Sequence, residues 1–337
     1  MSVRVELGSD SYDIIIEKGS LKRAGELLDL DRKVLIVTDS GVPEEYSKTV
    51  AACCRDARIV TFIQGEQAKC FANLETLCSE MLKHGMGRSD CVVAVGGGVV
   101  GDLAGFAAAV YMRGIDFYNI PTTVLAQVDS SVGGKVAVDL DGIKNSVGAF
   151  HQPKRVIIDP LVLKTLPPRQ ISNGLAEALK MAATFDEELF RVFEQEDIIA
   201  NIEYIIHRSV ELKARVVEQD EKEAGLRRVL NFGHTIGHAI ESYEGLGGLY
   251  HGECVALGML PMSSAPVRGR LAAVMGKLQL PTELDYPAAE LWDTMSHDKK
   301  KSGSVFNVVF VDKIGSFDIR RLSEKELYSM LEEALTK

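Results

Sequence analysis

Positive charge is in deficit in this chain: 38 Lys and Arg stand against 48 Asp and Glu, a formal net charge of −10 over 337 residues. That balance excludes a broad basic footprint for nucleic acid. A cluster of Lys and Arg here is therefore local, aimed at a small anion. Cysteine is sparse as well. Cys53, Cys54, Cys70, Cys78, Cys91 and Cys254 form no Cys-x-x-Cys pair and are too few for a disulfide scaffold. They read as reduced thiols, mostly buried, in a reducing compartment. No uninterrupted apolar run approaches the ~18–20 residues that cross a bilayer, and the N-terminus lacks a charged-then-apolar secretory pattern. The expectation is a soluble cytoplasmic protein with no membrane or nucleic-acid partner. Repeats, low-complexity tracts and long linkers are missing too. What remains is globular in texture, with 46% hydrophobic and 26% charged residues, and long enough for two domains.

The first half alternates apolar runs with amphipathic stretches. Strands are expected over Lys33–Asp39, Arg58–Ile63, Cys91–Val95 and Phe117–Ile120, with a helix over Ala72–His84 whose apolar face is Leu74, Leu77, Cys78, Met81 and Leu82. Such alternation predicts a mostly parallel sheet covered by helices, a Rossmann-like α/β domain. After Pro160 the pattern turns helical. Helices are expected over Ile171–Phe193, Ile198–Glu218, Leu226–Tyr243 and Glu253–Pro261 and from Ser323 onward, interrupted by an apolar Val305–Val311 run. The boundary is placed near residue 160, giving domains 1–160 and 161–337, with the cleft between them as the default ligand site.

Gly96-Gly-Gly-Val-Val-Gly101-Asp102 follows a predicted strand and opens a helix-like Leu103–Val110 segment. It contains G-x-G-x-x-G, so backbone N–H groups and a helix N-terminus can face a pyrophosphate. The motif lies in the third strand unit rather than the first, which argues against an ordinary Rossmann arrangement. Asp39 ends an earlier strand, where a ribose hydroxyl can be held; a plain turn residue is the competing reading. The stretch from Pro121 through Asp129–Lys135, Lys144, Asn145 and Phe150–Pro153 is small and polar, and reads as a ligand-binding loop.

In the second half, Arg227, Asn231, His234, His238 and Glu241 recur at helical spacing, within an arc of roughly 80°. His234 and His238, at i and i+4, either share a divalent ion or divide ligation from acid–base work. A solvated polar face is the alternative. Gly233 and Gly237 oppose it, since each costs a helix about 0.8–1 kcal/mol relative to Ala; something must approach this backbone closely. Lys213 falls inside the apolar stripe of Ile202, Ile206, Val210 and Val217, either snorkelling or reaching a ligand. Asn173, Glu177, Lys180 and Thr184 form a second polar strip.

The glycine loop, Asp129–Lys135, Asn173-Gly-Leu-Ala-Glu-Ala-Leu-Lys180, Asn231-Phe-Gly-His-Thr-Ile-Gly-His238, Tyr250-His-Gly-Glu253 and Asp298-Lys-Lys300 occur in that order. The series resembles the 3-dehydroquinate synthases, sugar phosphate cyclases of the shikimate pathway. The likeness is densest over residues 88–184 and 222–253, with Gly65-Glu-Gln-Ala-Lys69 upstream, and spans most of the chain.

The resemblance implies a Rossmann-like α/β domain that binds NAD, then an all-α domain carrying metal and substrate. It implies a divalent metal, zinc or cobalt, on Glu177, His234 and His251, a His₂Glu set with open positions. Spacing alone does not select Glu177 over Glu241 or Glu253. His238 then becomes a residue that supports the ligands from behind or does acid–base work, rather than a ligand. Substrate contacts fall to Asp129, Lys135, Asn145, Lys180, Lys213, Arg227, Asn231 and Lys299 or Lys300. NAD contacts fall to Asp39, Glu66, Lys69, Gly97, Gly98, Val99, Asp102, Thr122, Thr123, Asp129, Ser130, Lys144 and Thr165. A homodimer is implied, with Arg113 reaching a neighbouring subunit's phosphate site. The implied reaction takes 3-deoxy-D-arabino-heptulosonate 7-phosphate to 3-dehydroquinate and phosphate. The alternatives are another sugar phosphate cyclase, or a metal- and NAD-dependent alcohol dehydrogenase of similar fold.

Overall fold

A computed structural model describes residues 1–245, 247–297 and 305–335. It divides into two compact units, Met1–Pro167 with Lys213–Lys222, and Pro168–Leu212 with Glu223–Lys337.

The first unit is built on strands β1 (Ser2–Val5), β2 (Tyr12–Ile16), β3 (Lys33–Asp39), β4 (Asp56–Phe62), β5 (Cys91–Gly96), β6 (Asp116–Pro121), β7 (Lys135–Leu140), β8 (Ile143–Phe150) and β9 (Arg155–Ile158), with helices α1 (Ala24–Leu27), α2 (Glu44–Ala51), α3 (Phe71–Lys83) and α4 (Gly98–Val110) between them. Seven strands make one sheet in the order β1-β2-β9-β6-β5-β3-β4, parallel except for β1 against β2. Strand β5 is buried throughout, and β3 along all but its ends. This accounts for their nearly continuous apolar runs, since a parallel sheet is covered on both faces. Side chains alternate between two cores. Leu35, Val37, Val92 and Ala94 pack with Leu74, Leu77 and Met81 of α3 and Leu103, Ala104 and Ala107 of α4. Val34, Ile36, Val93 and Val95 pack with Ala24, Tyr46 and Val50 on the other face. The four expected strands and the Ala72–His84 helix are present, Lys33–Asp39 with the same bounds and the others within two residues at their ends.

The expected polar loop after Pro121 is corrected by the structure. Residues Ala126–Ser130 form a helical turn, and β7 and β8 pair as an antiparallel hairpin. Asp141 and Gly142, both at positive φ (51° and 78°), make the connection. Asp-Gly at these angles suits the two-residue turn whose twist matches the strands. Among the thiols, Cys91 and Cys254 are buried and the other four half-buried, so the expectation of mostly buried cysteines holds for two.

The second unit holds α5 (Pro168–Phe185), α6 (Glu187–Gln195), α7 (Ile202–Gln219), α8 (His234–Glu244), α9 (His251–Met259), α10 (Ala265–Lys277), α11 (Ala288–His297) and α12 (Glu324–Leu335); the last residues of α7 group with the first unit. It is mainly helical, with one antiparallel pair of β10 (Val305–Phe310) and β11 (Asp318–Ser323) where the Val305–Val311 run stands. Two expected helices are broken. Ile171–Phe193 divides at Asp186, whose carboxylate accepts from the N–H groups of Glu188 and Leu189 and so caps a new helix. Leu226–Tyr243 divides into a 3₁₀ turn, Leu226–Asn231, and α8, because Gly233 takes a left-handed φ of 79°. Arg227 and Asn231 therefore do not share a helical arc with His234, His238 and Glu241. Among the described residues, no helix is long and apolar enough to cross a membrane.

Candidate functional site

In the first unit the chain leaves β3 toward β4 at one edge and leaves β5 toward β6 in the opposite direction. The carboxyl ends of β3 and β5 thus form a switch point, where open α/β sheets bind ligands. Asp39 ends β3, and Gly97 caps α4 directly after β5. Gly97, Gly98 and Val99 are partly exposed between buried neighbours, at the start of a 13-residue helix, and a helix N-terminus is a place where backbone N–H groups can meet an anion. A Cβ on Gly97 would lie 3.1 Å from Thr123 Cγ2, and one on Gly98 3.1 Å from Ser130 Oγ. The glycine loop and the Thr122–Ser130 segment are thus in contact. Thr122 N–H donates to Gly96 O at 2.9 Å. Asp39 Oδ1 accepts from Gly41 N–H at 2.8 Å, and burial raises its pKa. Thr165 Oγ1 lies 3.2 Å from the Tyr46 hydroxyl.

Lys69 is the hub of the next cluster. Its Nζ, buried, lies 2.7 Å from Glu66, 3.3 Å from Asp102, 3.8 Å from Asp139 and 2.6 Å from Asn145 Oδ1. Burial lowers the lysine pKa, but Asp102 and Glu66 outweigh it and the net shift is upward. One ammonium cannot neutralise three carboxylates, and burial pushes Asp102 up to about 6. Asn145, expected beside substrate, stands in this cluster at a left-handed φ of 55°. Asp139 is absent from the residues expected at the site. It lies on β7, and its part in the cluster follows only from the hairpin that sets Asp139 N–H 2.9 Å from Lys69 O. Lys213 does not snorkel: its side chain is 7% exposed, and its Nζ lies 2.8 Å from Asp129 Oδ1 and 2.8 Å from Asp129 O. Lys135 and Lys144 are exposed. Arg113 is exposed too, and with Met112 it holds two successive left-handed φ values, 69° and 51°.

In the second unit, the polar strip of α5 faces inward, with Asn173, Glu177, Lys180 and Thr184 all buried. Single ligand atoms of Glu177, His234 and His251 lie within 4.8 Å of one another. His234 Nε2 is 3.6 Å and His251 Nε2 3.4 Å from Glu177 Oε1. His234 Nδ1 lies 3.1 Å from Phe232 O, which can only accept, so Nδ1 carries the proton and Nε2 the lone pair. His251 Nδ1 faces Glu241 Oε2 at 3.2 Å. Burial would raise Glu177, but the Lys180 ammonium, 2.5 Å away, and the two histidines hold it well below the usual range. Burial and Lys180 push His234 down to about 3, while its two carboxylates outweigh burial and take His251 up to about 10.

A divalent cation fits these residues. Neither oxygen of the buried Glu177 has a hydrogen-bond donor in good geometry among the described residues, and two imidazole nitrogens face it. Such a set of one carboxylate and two imidazoles suits zinc or cobalt. Gly252, Asn173, Arg169 and Glu253 place His251. Gly252 N–H donates to Asn173 Oδ1 at 2.7 Å, and Arg169 holds Glu253 through two 2.7 Å bonds. Arg227 is buried, Lys180 Nζ donates to Leu230 O at 2.7 Å, and Asn231 donates to Glu223 at 3.3 Å. His238 is exposed, its ring 5.2 Å from that of His234. Lys299 and Lys300 lie outside the described residues.

Two family descriptions match consecutive parts of the chain, "3-dehydroquinate synthase N-terminal" over residues 59–173 and "3-dehydroquinate synthase C-terminal" over 174–301. The chain belongs to the 3-dehydroquinate synthase family. A curated 3-dehydroquinate synthase of Clostridium acetobutylicum is 40% identical, covering 98% of this chain and 99% of its own. Among solved structures, 2-deoxy-scyllo-inosose synthase with carbaglucose-6-phosphate, NAD+ and Co2+ superposes with a TM-score of 0.89 at 23% identity, over 99% of this chain and all of that one. The 2-epi-5-epi-valiolone synthase of Streptomyces hygroscopicus subsp. jinggangensis, with NAD+ and Zn2+, gives 0.85 at 27%, over 98% of each chain. The fold expected from the sequence is the fold of this family.

Proposed function

We propose that this chain is a lyase, a 3-dehydroquinate synthase that converts 3-deoxy-D-arabino-heptulosonate 7-phosphate into 3-dehydroquinate and inorganic phosphate. The observation that carries the reading is the convergence of Glu177, His234 and His251 in a chain that matches a curated 3-dehydroquinate synthase along nearly its whole length. When bound, NAD+ would supply a regenerated hydride acceptor for C5, and a cation held by Glu177, His234 and His251 would supply a Lewis acid for the C5 oxygen, so that phosphate elimination, re-reduction, ring opening and aldol closure would carry no net redox change.

The chain's own residues hold and orient. The α4 N-terminus with Gly97, Gly98, Val99, Thr122, Thr123, Ser130 and Thr165 cradles the dinucleotide. Asp39, Glu66, Lys69, Asp102 and Lys144 take its hydroxyl and polar groups. Asp129, Lys135, Asn145, Lys180, Lys213, Arg227 and Asn231 orient the substrate. Their cations neutralise its phosphate and carboxylate, which accounts for buried Lys and Arg in an acidic protein. His238, exposed near His234, serves in acid–base transfer or in supporting the ligands. The 1–160 part thus carries most of the dinucleotide contacts together with Asp129, Lys135 and Asn145 for the substrate, and the 161–337 part carries the metal and the remaining substrate contacts. The working unit is a cytoplasmic homodimer; the strained, exposed Arg113 turn supports a reach toward the partner's phosphate site, since such strain persists where it is used.

A phosphate-release assay tests the reading. The purified chain with the heptulosonate phosphate and NAD+ is expected to release phosphate without accumulating NADH, to stop with a chelator and to resume with Zn2+. His234→Ala is expected to abolish metal uptake and turnover while leaving NAD binding measurable. NADH accumulation without phosphate release would indicate a dehydrogenase. Turnover of a sugar phosphate lacking the carboxylate, in preference to the acid, would assign a different cyclase and remove the substrate group that Arg227 is proposed to neutralise.

A further inference from the structure

We propose that Glu241 is the positioning residue that sets the imidazole of His251 for the cation. It belongs to none of the metal, substrate or dinucleotide sets above, and the inference rests on the metal-site reading.

Helices α8 and α9 run antiparallel in unusually close contact. A Cβ on Gly258 would lie 2.0 Å from Gly233 O and 2.8 Å from Gly237 N, and one on Gly237 would lie 3.0 Å from both Cys254 O and Val255 Cα. Residue 233 thus faces 258, and 237 faces 254 and 255. One further turn along α8 brings Glu241 opposite His251, the first residue of α9, with Oε2 3.2 Å from Nδ1. A carboxylate only accepts, so Nδ1 is the donor and Nε2 is the nitrogen turned toward Glu177 Oε1, 3.4 Å away. His234 is arranged alike, with Nδ1 on Phe232 O and Nε2 toward the same carboxylate oxygen. Both rings are therefore pinned at Nδ1. One pin is a backbone carbonyl that no substitution removes. The other is a side chain from the neighbouring helix, 17% exposed, and it can be deleted. A carboxylate on the far nitrogen fixes ring orientation and raises the basicity of the ligating one.

Single ligand atoms of His238, Glu241 and His251 also lie within 4.8 Å of one another, which makes Glu241 as ligand of a second ion the competing outcome. The full chain, stripped by chelator, is titrated with Zn2+ against a competing chelator and with Co2+ by visible absorption. Glu241→Ala is expected to weaken both ions about 10–100-fold at unchanged 1:1 stoichiometry. Glu241→Gln, which keeps an acceptor oxygen, should recover most of the affinity, and the stripped forms should melt with the parent. Parental affinity in Glu241→Ala overturns the proposal, as does an equal loss of affinity and melting temperature in both variants. Loss of a second, weaker ion with the first retained also overturns it. His234→Ala run alongside separates the failures: metal retained there sinks the site itself, whereas metal lost there with Glu241→Ala silent sinks only the positioning role.

Discussion

Glu177 and Lys180 show how a residue type changes meaning with burial. One helical turn apart on a surface, they would form an ion pair worth a few tenths of a kcal/mol. Here both are at most 2% exposed, and removing one partner of a buried pair leaves an uncompensated charge. In the metal-stripped chain, Lys180→Met is expected to cost about 3 kcal/mol of stability, measured by urea denaturation. Glu177→Gln with Lys180→Met should recover most of it, because two neutral groups need no counter-charge. The chemical identity of these residues is legible in the sequence, but their burial is not. Spacing cannot tell an inward polar strip from a solvated one, nor Lys213 as a buried partner of Asp129 from a snorkelling lysine. Both outcomes depend on what covers the helix, and that comes from distant segments.

Among elements, glycine decides where helices stop and how closely they pack. The apolar period runs unbroken through Leu226–Tyr243, yet Gly233 adopts a left-handed φ and α8 begins only at His234. Periodicity reports which face is apolar and is blind to one residue of the other hand. The close approach that Gly233 and Gly237 imply is present, and the approaching backbone is α9. Gly258→Ala is therefore expected to destabilise by about 1–3 kcal/mol through overpacking. A Cβ at Gly269, inside α10, meets nothing within 4 Å, and Gly269→Ala should stabilise by up to about 1 kcal/mol. Urea unfolding of both variants checks the contrast, and equal effects would contradict the packing assigned to α8 and α9. The β7–β8 hairpin escapes the sequence pattern because Val-Ala-Val-Asp-Leu-Asp-Gly-Ile sits among small polar residues. Its Asp-Gly turn is the signal that could have found it.

For the whole molecule, the proposed dimer carries its own prediction. If Arg113 completes the partner's site, Arg113→Ala and His234→Ala should each be inactive alone. Mixed subunits should regain turnover, since one site of each hybrid then holds both residues. Refolding the two together and assaying phosphate release checks this, and no recovery would place Arg113 outside the site. The motifs in their order along the chain are enough to point to the family, because each is a short run of residues that is legible whatever its setting. Parallel strands and their two-faced burial are equally readable, for a strand covered on both sides must be apolar along its length. The sequence could not show that Glu177 faces both His234 and His251, nor gather Asp139 and Asn145 around Lys69. Those choices belong to the tertiary structure, since hydrogen-bond geometry and desolvation are set by contacts between segments that the chain keeps far apart.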